Sequence, residues 1–127
     1  MRKKNVLLIE DDPDISKSVA FNLENQGYKV HVAHEGNTGL KAALENIPDI
    51  VILDLLLPGI SGEEICKAIR ESDDSTVQKI PIIMLTAKTM IADRIVGRVI
   101  GANSYMTKPF SMDELLREIE AVAFSTA

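Results

Sequence analysis

Three short apolar runs end in residues whose side chains could gather around a small hard cation. Val6-Leu7-Leu8-Ile9 runs into Glu10-Asp11-Asp12, Ile50-Val51-Ile52-Leu53 into Asp54, and Ile82-Ile83-Met84-Leu85 into Thr86. A continuous apolar run bounded by turn residues suits a strand buried on both faces of a parallel sheet. The carboxyl ends of such strands are where open α/β sheets bind ligands. Carboxylates collected there with no neighbouring arginine repel one another. At ~4 Å each pair costs about 4 kcal/mol at an effective dielectric of about 20. A divalent ion with a taste for oxygen is the simplest counterweight.

The strands that would hold these groups alternate with helices. Asp12 can cap a helix with Pro13 at its first position, Ile15, Val19 and Leu23 form its apolar face, and Gly27 stops it. Lys29 to His34 largely alternates polar and apolar residues, as a half-exposed strand does. A weaker helix spans Thr38 to Asn46, with Leu40, Ala43, Leu44 and Ile47 inward. Pro58-Gly59-Ile60-Ser61-Gly62 follows the Asp54 strand as a turn, and Ser61 with Glu64 has capping-box spacing for a helix burying Ile65 and Ile69. Glu71 to Lys79 reads as a loop. The Thr86 strand leads into a helix ending at Gly101, then a short strand around Tyr105, then Lys108-Pro109. Ser111 and Glu114 open a last helix with Leu115, Ile119 and Val122 inward.

This alternation implies a single α/β domain over residues 1–127, with five parallel strands, doubly wound, and helices on both faces. The apolar runs at Val6, Ile50 and Ile82 suit central strands, and the more polar runs at Val30 and Ser104 suit edges. A 2-1-3-4-5 order satisfies both and reverses winding between the first and third strands, where Glu10, Asp11 and Asp54 would converge.

Bulk properties narrow the function classes. With 127 residues, 46% hydrophobic and 26% charged, the chain can build one real core. A net charge of −5 argues against a nucleic-acid surface, and Arg2-Lys3-Lys4 reads as a solvated terminus. The apolar stretch after it breaks at Glu10, too short for a signal peptide, and Asp54 and Pro58 interrupt the longest apolar segment, so no membrane span is expected. The single cysteine, Cys66, excludes an internal disulfide, reads as a small core residue, and fits a reducing cytoplasm. His31 and His34 lack the further ligands a transition-metal site needs and read as exposed edge residues.

Five segments in order complete the picture: Leu8-Ile9-Glu10-Asp11-Asp12, Leu53-Asp54 with Leu57-Pro58-Gly59, Leu85-Thr86-Ala87, Gly101-Ala102 through Tyr105, and Lys108-Pro109-Phe110. In these the chain resembles the receiver domain of bacterial two-component response regulators over nearly its whole length. The resemblance implies the flavodoxin-like fold with the same 2-1-3-4-5 order, so the strand order is not independent of it. It implies that Asp54 accepts a phosphoryl group from a histidine-kinase phosphohistidine, a reaction in which a carboxylate attacks phosphorus without a general base. It further implies that Glu10, Asp11, Asp54 and the Leu56 carbonyl hold Mg²⁺, an ion that keeps several waters and takes few carboxylates. Lys108 would pair with Asp54 and then grip the phosphoryl group, across a cis peptide to Pro109. Thr86 and the Ala87 backbone N–H would bind phosphoryl oxygens, and Thr86 with Tyr105 would form the switch. Asp12, one position beyond the acidic pair, is the ambiguous member, and helix capping before Pro13 explains it well.

Implied partners are a sensor histidine kinase or phosphotransfer protein and a downstream effector protein or domain. Two features depart from the family pattern. Asn103-Ser104 stands where an acidic pair is common, and Met90-Ile91-Ala92, Val96, Val99 and Ile100 make the helix after Thr86 unusually apolar. Those apolar residues fit either a homodimer through the face of helix 88–100, strand 103–107 and helix 111–122, or inward packing. The end of the chain at Phe124-Ser125-Thr126-Ala127 fits a stand-alone receiver or one cut before an effector domain. Two other readings compete. A phosphatase of the haloacid-dehalogenase class needs an acid two residues after its nucleophile, where this chain has Leu56. A degenerate receiver serving only as an interaction module would have lost Asp54, Lys108 or an acidic residue, and none is missing.

Overall fold

Every residue of Ile50–Asp54 is buried, as the unbroken apolar run requires of a strand covered on both faces. A computed structural model describes residues 4–87 and 101–123 and places this strand, β3, at the centre of a five-stranded parallel sheet. The others are β1 (Asn5–Ile9), β2 (Lys29–Ala33), β4 (Ile82–Ala87) and β5 (Ser104–Lys108), in the order β2-β1-β3-β4-β5. The more polar strands, β2 and β5, take the edges as their texture demanded.

Because strand side chains alternate between faces, the sheet splits its apolar residues into two clusters. Leu7, Ile9, Val51, Leu53, Ile82 and Met84 face one side, where α2 (Gly36–Asn46) and α3 (Gly62–Arg70) cover them. Val6, Leu8, Ile50, Ile52, Ile83 and Leu85 face the other, beneath α1 (Pro13–Asn25) and the C-terminal helix Met112–Ala123. Cys66 is wholly buried in the first cluster.

The helix signals are realised locally. Asp12 Oδ1 accepts from Asp14 N and Ile15 N, with Pro13 at the first helical position. Gly27, at φ +94°, makes the left-handed turn that follows α1. Ser61 and Glu64 form a reciprocal capping box. Ser111 Oγ accepts from Glu114 N at 3.1 Å, while the Glu114 carboxylate accepts from the Ser111 hydroxyl.

Three local expectations change. The second helix starts two residues earlier than expected, at Gly36, and its buried stripe runs through Gly36, Gly39 and Ala43. That rotation leaves Leu44 exposed, not inward. Glycine carries no hydropathy signal, so an apolar count misplaces a helix face built on it. Within the expected loop 71–79, one helical turn, α4 (Ser75–Gln78), is capped by Asp74, whose Oδ1 accepts from Thr76 N and Val77 N. It seals Val77 and Ile80 into the core. The helix expected between Thr86 and Gly101 lies outside the described residues; the last described helix, Met112–Ala123, is α5.

Arg70, at the end of α3, ties three segments together. Its guanidinium donates to the carbonyls of Gly101 (2.9 Å), Gln78 (2.8 Å) and Ile80 (2.7 Å), and to Asn103 Oδ1 (2.8 Å). The same Asn103 oxygen accepts from Ile82 N at 2.9 Å, so one side chain joins the starts of β4 and β5. Asn103→Asp keeps the oxygen that accepts both bonds and sets a negative charge against the guanidinium. It is expected to stabilise the fold by about 0.5–1 kcal/mol, reduced for the exposure of the site. A thermal melt at low and high salt checks this: the midpoint should rise, and rise less in high salt. An unchanged or lowered midpoint would show that the charge gains nothing there.

Candidate functional site

Register brings the chemistry together. Ile9 pairs with Leu53, which sets Glu10 level with Asp54, and Asp54 pairs with Leu85, which sets Thr86 one residue beyond it. Ala87 pairs with Lys108 at the end of the β4–β5 ladder. The ends of β1, β3, β4 and β5 therefore meet at one edge of the sheet, beside the winding reversal between β1 and β3.

Glu10 has no solvent exposure, Asp54 retains 8% and Thr86 1%. Asp11 is exposed beside them. Carboxylate oxygens of Glu10, Asp11 and Asp54 all lie within 4.8 Å of one another, which is compatible with a single ion of Mg²⁺ size. Lys108 Nζ donates to Glu10 Oε1 at 2.8 Å and to Asp54 Oδ2 at 2.9 Å. The expected Lys108–Asp54 contact is there. The contact to Glu10 was not foreseen; it spans 98 residues and no sequence spacing announces it. The Lys108–Pro109 peptide is cis, as the resemblance implied.

Backbone donors orient the acids. Leu56 N donates to Asp54 Oδ1 at 3.2 Å, and Asp12 N to Glu10 Oε2 at 3.3 Å. The Glu10 main chain is held as well, its N–H donating to the Ala33 carbonyl at 3.0 Å. Its own carbonyl lies 3.1 Å from His34 Nδ1, giving an otherwise exposed histidine a structural contact. Leu56 is 59% exposed at the mouth of the site. Tyr105 is half-buried on β5, packed against the cluster that contains Met84, its ladder partner.

Burial pushes the Glu10 carboxyl up to about 7; the Lys108 hydrogen bond opposes the rise and the neighbouring Asp54 charge adds to it. Burial alone would lower Lys108, but its hydrogen bonds to Glu10 and Asp54 raise it above the usual lysine value.

A family model described as the response regulator receiver domain matches residues 6–120. The chain belongs to the response regulator receiver domain family. Receiver domains serve two-component signalling, and this one is 43% identical over 121 residues to YkoG of Bacillus subtilis, described as an uncharacterized transcriptional regulatory protein. That match covers 95% of this chain and 51% of the relative, so the chain spans about half the relative's length. Among solved structures, the chemotaxis response regulator CheY4 of Vibrio cholerae superposes with a TM-score of 0.87 at 31% identity, covering 94% of this chain and 98% of that one. The receiver domain of the sensor histidine kinase PA1611 from Pseudomonas aeruginosa, which holds a magnesium ion in its active site cleft, also gives 0.87, at 29% identity over 98% of this chain and 100% of that one. The acidic cluster of this receiver domain is compatible with the same ion. No helix among the described residues is long and apolar enough to cross a membrane.

The Glu10 shift has a thermodynamic consequence. Between the ordinary carboxyl value of 4.5 and about 7, folded protein keeps a proton that the unfolded chain has released. Without divalent metal, the Glu10 contribution to stability is full below that window and is lost as pH rises through it. A Mg²⁺ ion held at Glu10 would compete with the proton, so the rise in melting temperature on adding Mg²⁺ is expected to be larger at pH 8 than at pH 5. Melts at the two values with and without Mg²⁺ check this; an equal or larger effect at pH 5 would refute the assignment of a protonated Glu10.

Proposed function

We propose that this receiver accepts a phosphoryl group on Asp54 from the phosphohistidine of a sensor histidine kinase or phosphotransfer protein, in a Mg²⁺-dependent reaction. The observation that carries the reading is the ammonium of Lys108 bridging Glu10 and Asp54 inside a three-carboxylate cluster. A bond forms between an Asp54 oxygen and phosphorus, the phosphorus–nitrogen bond of the phosphohistidine breaks, and the leaving imidazole nitrogen takes a proton from solvent. Asp54 is aimed by Leu56 N, which holds Oδ1. Lys108, a point charge on a flexible stem, follows the negative charge from the carboxylate to the phosphoryl oxygens. The Thr86 hydroxyl and the Ala87 N–H bind two of those oxygens. Glu10, Asp11, Asp54 and the Leu56 carbonyl would hold Mg²⁺, whose charge would offset that of the phosphoryl group, most of what phosphoryl transfer asks of a protein. The magnesium ion in the active site cleft of the PA1611 receiver supports a magnesium ion at this end of the sheet.

The phosphoryl group then draws Thr86 toward the site, and Tyr105 turns inward into the space behind it. Only contacts that differ between the two states can move such an equilibrium. The altered face lies along β5 and α5 and serves an effector or a second copy of the chain; the helix 88–100 expected to extend it lies outside the described residues. Residues 1–127 act as one switch unit in the cytoplasm. The length and description of YkoG support an output in transcription control by a further domain. Turnover of small phosphate esters is disfavoured because Leu56 stands where a leaving-group acid would be needed.

Incubation with a small phosphodonor and Mg²⁺ should add one phosphoryl group to the intact chain by mass spectrometry. Asp54→Asn should abolish the addition, and chelation of Mg²⁺ should suppress it. Equal labelling of Asp54→Asn would place the acceptor elsewhere and end this reading.

A further inference from the structure

The first turn of α2 lacks a side-chain cap: Glu35, the cap residue, makes no such bond. Instead the leading N–H of the helix, from Gly36, donates at 3.1 Å to the carbonyl of Pro58, in the loop that follows Asp54. A Cβ at Gly36 would sit 2.3 Å from the Ile60 carbonyl oxygen and 2.7 Å from Ile60 Cγ1. Among the described residues the glycines with positive φ are Gly27, Gly59 and Gly101, so Gly36 is needed for space and not for an unusual backbone angle. The loop it touches is pinned at its ends. Leu55 N donates to the Leu85 carbonyl and Gly62 N to the Leu55 carbonyl, both at 2.9 Å, while Leu56 N holds Asp54 Oδ1. Gly62 completes that closure, since a Cβ there would meet the Asp54 carbonyl oxygen at 2.4 Å. Gly36 reaches the middle of the loop, two residues past Leu56.

We propose that Gly36 is a positioning residue for the metal site: the start of α2 braces the loop after Asp54 so that Leu56 stays seated against the acceptor. The inference rests on the Mg²⁺ reading above and extends it to a helix that contributes no ligand. Ordinarily glycine to alanine near a helix start is neutral or stabilising. At Gly36 the added methyl must push the backbone of Pro58 to Ile60 outward, and the displacement passes to Leu56. Supports that orient metal ligands typically carry ten- to a hundredfold in affinity. Coupling is reciprocal, so Mg²⁺ binding must in turn tighten the bond from Gly36 to Pro58.

The test has two arms. Titration calorimetry with Mg²⁺ compares the natural chain with Gly36→Ala and with Val77→Ala, a cavity variant on α4 that lowers stability without touching the loop. Amide hydrogen exchange follows Gly36 in the natural chain with and without Mg²⁺, a readout independent of whether Gly36→Ala folds. Gly36→Ala is expected to weaken Mg²⁺ binding at least about tenfold, Val77→Ala to leave it unchanged, and Mg²⁺ to slow exchange at the Gly36 amide. Unaltered affinity in Gly36→Ala, or Gly36 exchange indifferent to Mg²⁺, overturns the brace while leaving the metal site intact. No Mg²⁺ binding by the natural chain overturns the site reading itself, and the brace with it.

Discussion

Two buried carboxylates sharing one ammonium group is the constraint around which this molecule is organised. Glu10 and Asp54 are both withdrawn from water, and their mutual repulsion is held in check by Lys108 at 2.8 and 2.9 Å. Removing one charged partner from such a group leaves the others uncompensated at a cost of several kcal/mol. The balance is therefore sensitive to any added charge. A proton, a divalent ion or a phosphoryl group placed there would each change which partners Lys108 must satisfy, and that sensitivity is what a switch requires.

Nothing local could assemble this cluster. Its members sit at the carboxyl ends of β1, β3 and β5, and they meet because two apolar clusters hold the strands in a fixed register. Slipping β3 by one residue would turn Leu53 and Val51 away from α3 and send Ile50 and Ile52 to the wrong face. The hydrophobic pattern that drives folding is thus also what fixes Asp54 beside Glu10. The site is strained by charge, and the sheet beneath it supplies the stability that tolerates this.

Outside the site, contacts that no hydropathy pattern records join the elements. Arg70 gathers carbonyls from the turn at Gln78 to Ile80 and from Gly101, while Asn103 bridges it to β4. Gly39 lets α2 lie directly on Ile9, where a Cβ would approach to 2.6 Å. These contacts set where β5 begins and how close the second helix comes to the sheet, and so where Lys108 and the loop after Asp54 stand.

What the sequence determined by itself was everything that depends on period and on neighbours in the chain. The buried central strands, the half-polar edges, the Asp12 and Ser61 caps and the stop at Gly27 follow from hydrophobic alternation and from hydrogen bonds within four residues. The acids and Lys108 were identifiable because their motifs follow one another in a fixed order. Tertiary structure decided the rest. Leu44 faces solvent because glycines, silent in any apolar count, form the face of α2, and Val77 folds a short turn down onto the core. The pairing of Lys108 with Glu10 joins residues 98 positions apart. Chain-local forces act over a few residues, whereas these arrangements arise only when the register of the whole sheet brings distant backbone and charge within hydrogen-bonding reach.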